Sequence, residues 1–199
     1  MNGGEGDDEI ISDEDDTITG GAGADTVVMD DGGDQTLIYN AITDSNASLS
    51  VDVIVGNVQA TDEVDITAIA NQLAGSVADT VNAPGGVDFS VTGAADWDAV
   101  EETLTIESFA DFREVFDELS GGMVESENGQ IEAYILADVD DIVDEDGDAV
   151  FEGSDGTLVT HLVVLNDTNT ILSGGDFMVG FDNLTAAESF IDLAEDGLA

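Results

Sequence analysis

Four aspartates recur near the start of the chain, Asp8, Asp16, Asp25 and Asp34, eight or nine residues apart. Two of them close a glycine-rich hexad. The first is Gly3-Gly4-Glu5-Gly6-Asp7-Asp8 and the second is Gly20-Gly21-Ala22-Gly23-Ala24-Asp25. Two looser copies are Asp13-Glu14-Asp15-Asp16 and Asp31-Gly32-Gly33-Asp34. The chemistry on offer is hard-cation binding. Glycines such as Gly4, Gly6, Gly21 and Gly23 adopt positive φ freely and can turn backbone carbonyls inward. Each aspartate adds a carboxylate, and calcium collects about six to eight such oxygens in flexible geometry.

The aspartates need a scaffold that repeats at the same period. Ile10, Ile18 and Val27 supply one aliphatic position behind each of the first three turns. The combination resembles the nonapeptide repeat of RTX proteins, a family with parallel β-rolls and calcium in the turns. The resemblance implies that turns alternate between two edges. The Asp8 turn then stacks on the Asp25 turn, and the Asp16 turn on the Asp34 turn. About two repeat calcium ions are expected, the first pair giving the better site.

Charge points the same way. The chain carries 47 acidic residues against one arginine, no lysine and a formal net charge of −46 over 199 residues. Self-repulsion of that size opposes compaction unless cations neutralise it. Nucleic acid and anionic membranes both need basic patches, so neither is an expected partner, and no direct membrane insertion is expected. At 42% hydrophobic residues the chain can nevertheless build a core. It has no cysteine, so cations rather than disulfides must staple it. Met1-Asn2-Gly3-Gly4 has neither the basic nor the apolar region of a cleaved signal. In the RTX family export runs through a type I secretion apparatus with an uncleaved C-terminal signal, which this start would suit. Nothing near Met1 resembles a tag or a cut linker, and a complete protein is the expectation.

The fold class expected is mainly β: a short parallel β-roll over residues 1–40, continuing into a β-rich C-terminal domain over 41–199 with two or three short helices. Strands are read at 36–45, 51–58, 61–66, 131–138, 157–165 and 171–179 from alternation and β-branching. The order around 36–66 also resembles the segment after the repeats in RTX C-terminal domains. Residues 67–100 look like an insertion, with a short helix from Thr67, a turn at Pro84-Gly85-Gly86, a strand at 87–91 and an anchoring Trp97. Ser108 with Asp111 caps a helix whose apolar face is Phe109, Phe112, Phe116 and Leu119, ended by Gly121-Gly122. Arg113 is read as a local ion pair with Asp117. Thr185 with Glu188 opens a final helix over 185–197 that looks like a secretion signal.

A second acidic loop lies at Asp144-Glu145-Asp146-Gly147-Asp148. An EF-hand is excluded, because that register puts Ile142 where the first carboxylate belongs. Two readings stay open: a calcium ion held by Asp144, Asp146 and Asp148, or a solvated hairpin loop.

No catalytic constellation is found. The sole histidine, His161, has no His-Glu-x-x-His partner and no Gly-x-Ser-x-Gly elbow to serve. The chain is therefore expected not to be an enzyme. The function expected is a secreted, cell-surface or extracellular calcium-binding structural protein, whose copies polymerise through calcium into a filament, surface layer or biofilm matrix. The alternative is the non-catalytic calcium-binding and type I secretion module of a larger exoprotein.

Overall fold

The computed structural model describes residues 1–29, 32–46, 51–73, 89–96, 104–105, 108–110, 112–113, 116, 131–137, 139–166 and 172–196. The fold is mainly β. In chain order the strands are β1 (Asn2–Glu5), β2 (Glu9–Ser12), β3 (Thr17–Ala22), β4 (Thr26–Met29), β5 (Thr36–Ile38), β6 (Asp52–Gly56) and β7 (Glu63–Asp65). Then come β8 (Phe89–Asp96), β9 (Leu104–Thr105), β10 (Ile131–Ala137), β11 (Ile142–Val143), β12 (His161–Asn166) and β13 (Phe177–Phe181). Helix α1 spans Thr67–Leu73 and α2 spans Leu184–Asp196.

The first seven strands alternate between two sheets. One sheet has the order β1-β3-β5-β7, and the other β2-β4-β6-β13-β12-β10-β8. Every pairing among β1 to β7 is parallel. This follows from the sequence period. Each rung contributes one aliphatic residue to each sheet, and stacking rungs puts them in rows. Ile10, Val27 and Ile54 are in register on one sheet, and Ile18, Leu37 and Val64 on the other. All six are buried in a single apolar cluster.

The seven-stranded sheet continues past β6 through β13, parallel to it, and then the antiparallel pairs β13–β12 and β12–β10. Here side chains are buried on both faces, which explains the unbroken apolar run of Leu162-Val163-Val164-Leu165. Val163, Leu165, Phe177 and Val179 join the cluster shared with the repeats. Leu162, Val164 and Met178 join a second cluster with Phe112, Phe116, Tyr134 and Phe151. Helix α2 lays Ala187, Phe190, Ile191 and Ala194 on the first cluster and lies over β7.

Several expectations change in detail. The cap of the last helix is Asn183, not Thr185: its Oδ1 accepts from the Ala186 N–H at 2.8 Å. Asparagine takes that position because its short side chain folds back onto the first turn. The expected strand at 157–165 begins only at His161, the residues before it forming a loop closed by the Glu152–Leu158 bridge. The expected strand at 36–45 ends at Ile38, and Ile42–Asp44 form one 3₁₀ turn. Phe109, Ala110, Phe112, Arg113 and Phe116 are helical, with Phe112 and Phe116 buried. The expectations for Pro84, Trp97, Asp111, Asp117, Leu119, Gly121, Gly122 and Gly197 lie outside the described residues.

Candidate metal centre

The strand register places six turn residues in two columns. Along the first edge Asp8, Asp25 and Asp52 stack, one per rung. Along the second edge the column is Asp16, Gln35 and Asp62. All six open their strands on the same pattern, Asp or Gln, one residue, then an aliphatic: Asp8-Glu9-Ile10, Asp16-Thr17-Ile18, Asp25-Thr26-Val27, Gln35-Thr36-Leu37, Asp52-Val53-Ile54, Asp62-Glu63-Val64.

On the first edge each carboxylate caps the rung before it. Asp25 Oδ1 accepts from the Asp8 N–H at 2.9 Å, and Asp52 Oδ1 from the Asp25 N–H at 3.0 Å. In the opposite sense, Asp7 Oδ1 accepts from the Ala24 N–H of the next rung at 2.9 Å. Asp8 Oδ2 and Asp25 Oδ2 are both buried without a hydrogen-bond partner. Two orphaned carboxylate oxygens on neighbouring rungs are costly as they stand, since a buried charge needs a counter-charge. Glycine makes the space around them. A Cβ on Gly3 would sit 2.8 Å from Asp8 Oδ2 and 2.6 Å from the Gly20 carbonyl oxygen, and one on Gly20 would sit 2.4 Å from Asp25 Oδ2. Carboxylate and carbonyl oxygens thus pack against these two glycines, and oxygens of both kinds are the ligands that a hard cation takes. The loop at 152–157 rests on this edge. The Ser154 hydroxyl donates to the Asp8 carbonyl at 3.2 Å, and the Ser154 N–H donates to Thr26 Oγ1 at 2.7 Å.

Electrostatics deepen with each rung. Burial raises the pKa of Asp25 above the ordinary 3.8, against the pull of the Asp8 N–H and with the charges of Asp8, Asp7 and Asp44 adding to it. Burial pushes Asp52 well above 3.8, again opposed by the Asp25 N–H and reinforced by the Asp25 and Asp44 charges. Tyr39 lies against Asp52 without a well-directed hydrogen bond. Burial, then the Asp52 charge, pushes its hydroxyl well above the ordinary 10.

A pH dependence follows for the metal-free protein. Because its folded pKa is raised, Asp52 keeps a proton in the folded chain at pH values where the unfolded chain has lost it. Between 3.8 and that raised value, stability falls as pH rises. The melting temperature in chelator is expected to climb as pH is lowered through this window, and Asp52→Asn to flatten the slope. Identical slopes for Asp52→Asn and the wild-type chain would remove Asp52 as the cause.

The second edge is built differently. Asp34 is not opposite Asp16. Its N–H donates to Asp15 Oδ1 at 3.0 Å, and the place of the repeat aspartate is taken by Gln35. The Gln35 N–H donates to Asp62 Oδ1 at 3.0 Å, in the pattern of the first edge. The Gln35 side chain is fully buried, and its Nε2 donates to the carbonyl oxygens of Glu14, at 3.1 Å, and Gly32. The structure therefore brings Asp8 and Asp25 together as a carboxylate pair and does not do so for Asp16 and Asp34.

The loop at 144–148 closes on itself. Asp144 Oδ1 accepts from the N–H groups of Asp146 at 2.9 Å and Asp148 at 3.0 Å, with Gly147 at φ +87° making the turn. Asp146 and Asp148 are exposed. Among the described residues no group of three or more histidine or acidic side chains is placed to hold a metal ion. The first repeat edge differs in kind, since backbone carbonyls there accompany two carboxylates. His161 Nδ1 lies 2.8 Å from Thr160 Oγ1 on a half-buried strand end.

No family model matches the chain, and no curated protein matches it.

Proposed function

We propose that this chain is a secreted calcium-binding structural protein. Its stacked turns close around calcium, and its copies join end to end into a filament, surface layer or matrix. The observation that carries the reading is the contrast between the first rung and the second. Gly21 and Gly23 lie flat against the rung before them: a Cβ on either would come within 2.1 Å of the Gly4 carbonyl oxygen or 2.4 Å of that of Gly6. Gly4 and Gly6 also have positive φ, at +117° and +100°, yet a Cβ on either meets nothing within 4 Å. The first rung has the surface for a neighbour that the described residues do not supply.

Three features support a second copy as that neighbour. β1 and β2 are the outer strands of their sheets at the same end of the stack, so unpaired backbone groups from both face outward. Met1 is 46% exposed and Ile11 58%, and a groove of about 410 Å³ runs between residues 1–3 and 8–11. The far edge of the seven-stranded sheet, β8, runs parallel to β2, so head-to-tail pairing of β2 with β8 continues the sheet. A contact between two different patches propagates instead of closing. The junction also needs a counter-ion, because Glu5, Asp7 and Glu9 crowd the same rim in a chain of charge −46. Calcium supplies one, and it fits the two orphaned oxygens inside.

Light scattering on the intact chain tests this. In millimolar calcium the apparent mass is expected to grow with protein concentration, and Ile11→Lys is expected to keep the folded spectrum while abolishing the growth. A monodisperse calcium-bound monomer would overturn assembly. It would favour the same body serving as the calcium-binding, secretion-competent module of a larger exoprotein.

A further inference from the structure

The turn columns of the two edges, Asp8-Asp25-Asp52 and Asp16-Gln35-Asp62, differ in kind at one position. Gln35 occupies in the second column the place that Asp25 occupies in the first. The carbonyls it reaches are related by the same plan. Glu14 stands two residues before Asp16, as Gly6 stands two before Asp8. Gly32 stands three before Gln35, as Ala22 stands three before Asp25. One of the two carbonyls belongs to the preceding rung and one to its own, so the Gln35 amide ties two rungs together from inside the turn. A bridging cation at this place would do the same work, drawing carbonyl oxygens of adjacent rungs to a positive group. An amide N–H does so with a partial charge and no ion. The other end of the amide underlines the point. Oε1 is buried with no partner, so the side chain is held by its donor end.

We infer that Gln35 is a built-in substitute for a cation. It closes the second edge without metal, and the stack takes up calcium along the Asp8–Asp25 edge alone. The inference rests on the reading of that first edge as the calcium site. The division of labour has a physical sense. A stack whose two edges both required calcium would have no closed edge in its absence. With one edge held by an amide, the rungs keep a partial register, and calcium has only the other edge to close. The difference within the column makes a conversion of the second edge testable. Gln35→Asp removes the amide and restores a carboxylate opposite Asp16, beside carbonyls already in place.

The test is a calcium titration by calorimetry on the full chain, paired with melting curves in calcium and in EGTA. Gln35→Asp is expected to bind about one more calcium per chain than wild type, to melt below wild type in EGTA, and to recover in calcium. Folded Gln35→Asp with an unchanged calcium count would overturn the inference. Gln35→Met keeps the length of the side chain and removes only the donor, so it serves if the aspartate variant does not fold. It takes the amide donor from both carbonyls, leaving Glu14 only the Asp16 N–H at 2.9 Å, and is expected to melt about 4–8 °C below wild type in both media. A loss that calcium abolishes, or no loss at all, would overturn the inference, since the bridge would then be metal-dependent or idle. Should wild type bind no calcium, the reading of the first edge fails by itself, and Gln35→Met in EGTA still decides whether the amide holds the second.

Discussion

Removing calcium is expected to lower the melting temperature of this protein and to loosen the first edge of its stacked rungs. Asp8 Oδ2 and Asp25 Oδ2 are buried with no partner, and Asp52 is buried on the next rung. In chelator these groups confront one another in a chain of net charge −46. A cation that binds only the folded state stabilises it by about 2.7 kcal/mol when present at a hundred times its dissociation constant. That is a large share of the roughly 5–15 kcal/mol that holds an ordinary domain together. Extracellular modules bind calcium with dissociation constants of about 10⁻⁴–10⁻³ M, so some ten millimolar calcium saturates the site. Circular dichroism in EGTA is expected to lose part of the β signal and to show a lower melting temperature, both regained on adding calcium, with magnesium much less effective because it resists dehydration. Melting curves that superimpose in EGTA and calcium would end the calcium reading.

The second large effect is steric. Gly21→Ala is expected to cost about 2–6 kcal/mol, the sum of about 1–3 for a non-glycine residue at positive φ and about 1–3 for overpacking. The overpacking arises because the new methyl would sit 2.1 Å from the Gly4 carbonyl oxygen and 3.0 Å from the Gly4 nitrogen, both backbone atoms that cannot swing aside. Gly4→Ala is the matched control. Its φ of 117° is close to the 115° of Gly21, but a Cβ there meets nothing. It carries the backbone strain alone and is expected to cost about 1–3 kcal/mol. Urea denaturation of the two variants separates the terms. Equal midpoints for Gly4→Ala and Gly21→Ala in monomer conditions would show that contact between rungs adds nothing.

What could be read from the sequence is what repeats locally. The Asp8 and Asp25 turns share the same hexad, and their stacking follows from the period. The column continues to Asp52 and Asp62, but these escaped because the connections lengthen. Asp8 and Asp25 are 17 residues apart, whereas Asp25 and Asp52 are 27 apart. The steadier signal was the aspartate two positions before a buried aliphatic, which survives any loop length. The second edge was misaligned by one residue because Asp34 carries the charge while Gln35 carries the position. Only the apolar partner, Leu37 opposite Ile18, resolves that choice. The insertion of β13 beside β6 had no local sign at all. Both strands are apolar runs, and nothing within either says which neighbour it takes.

That last pairing governs how the molecule can assemble itself. β6 has a repeat strand on one side and β13 on the other, and β13 arrives only after residues 57–176 have been made. Closing so long a loop costs entropy that must be met before the contact gives anything back, and such non-local sheets are slow to form. The early rungs can stack on one another through their own turns, but the sheet they belong to waits for its latest strand. A chain leaving a ribosome, or threading a narrow exit, therefore stays unfinished along the β6 edge until residues 177–181 emerge, and its speed of folding is set by topology as much as by any ion.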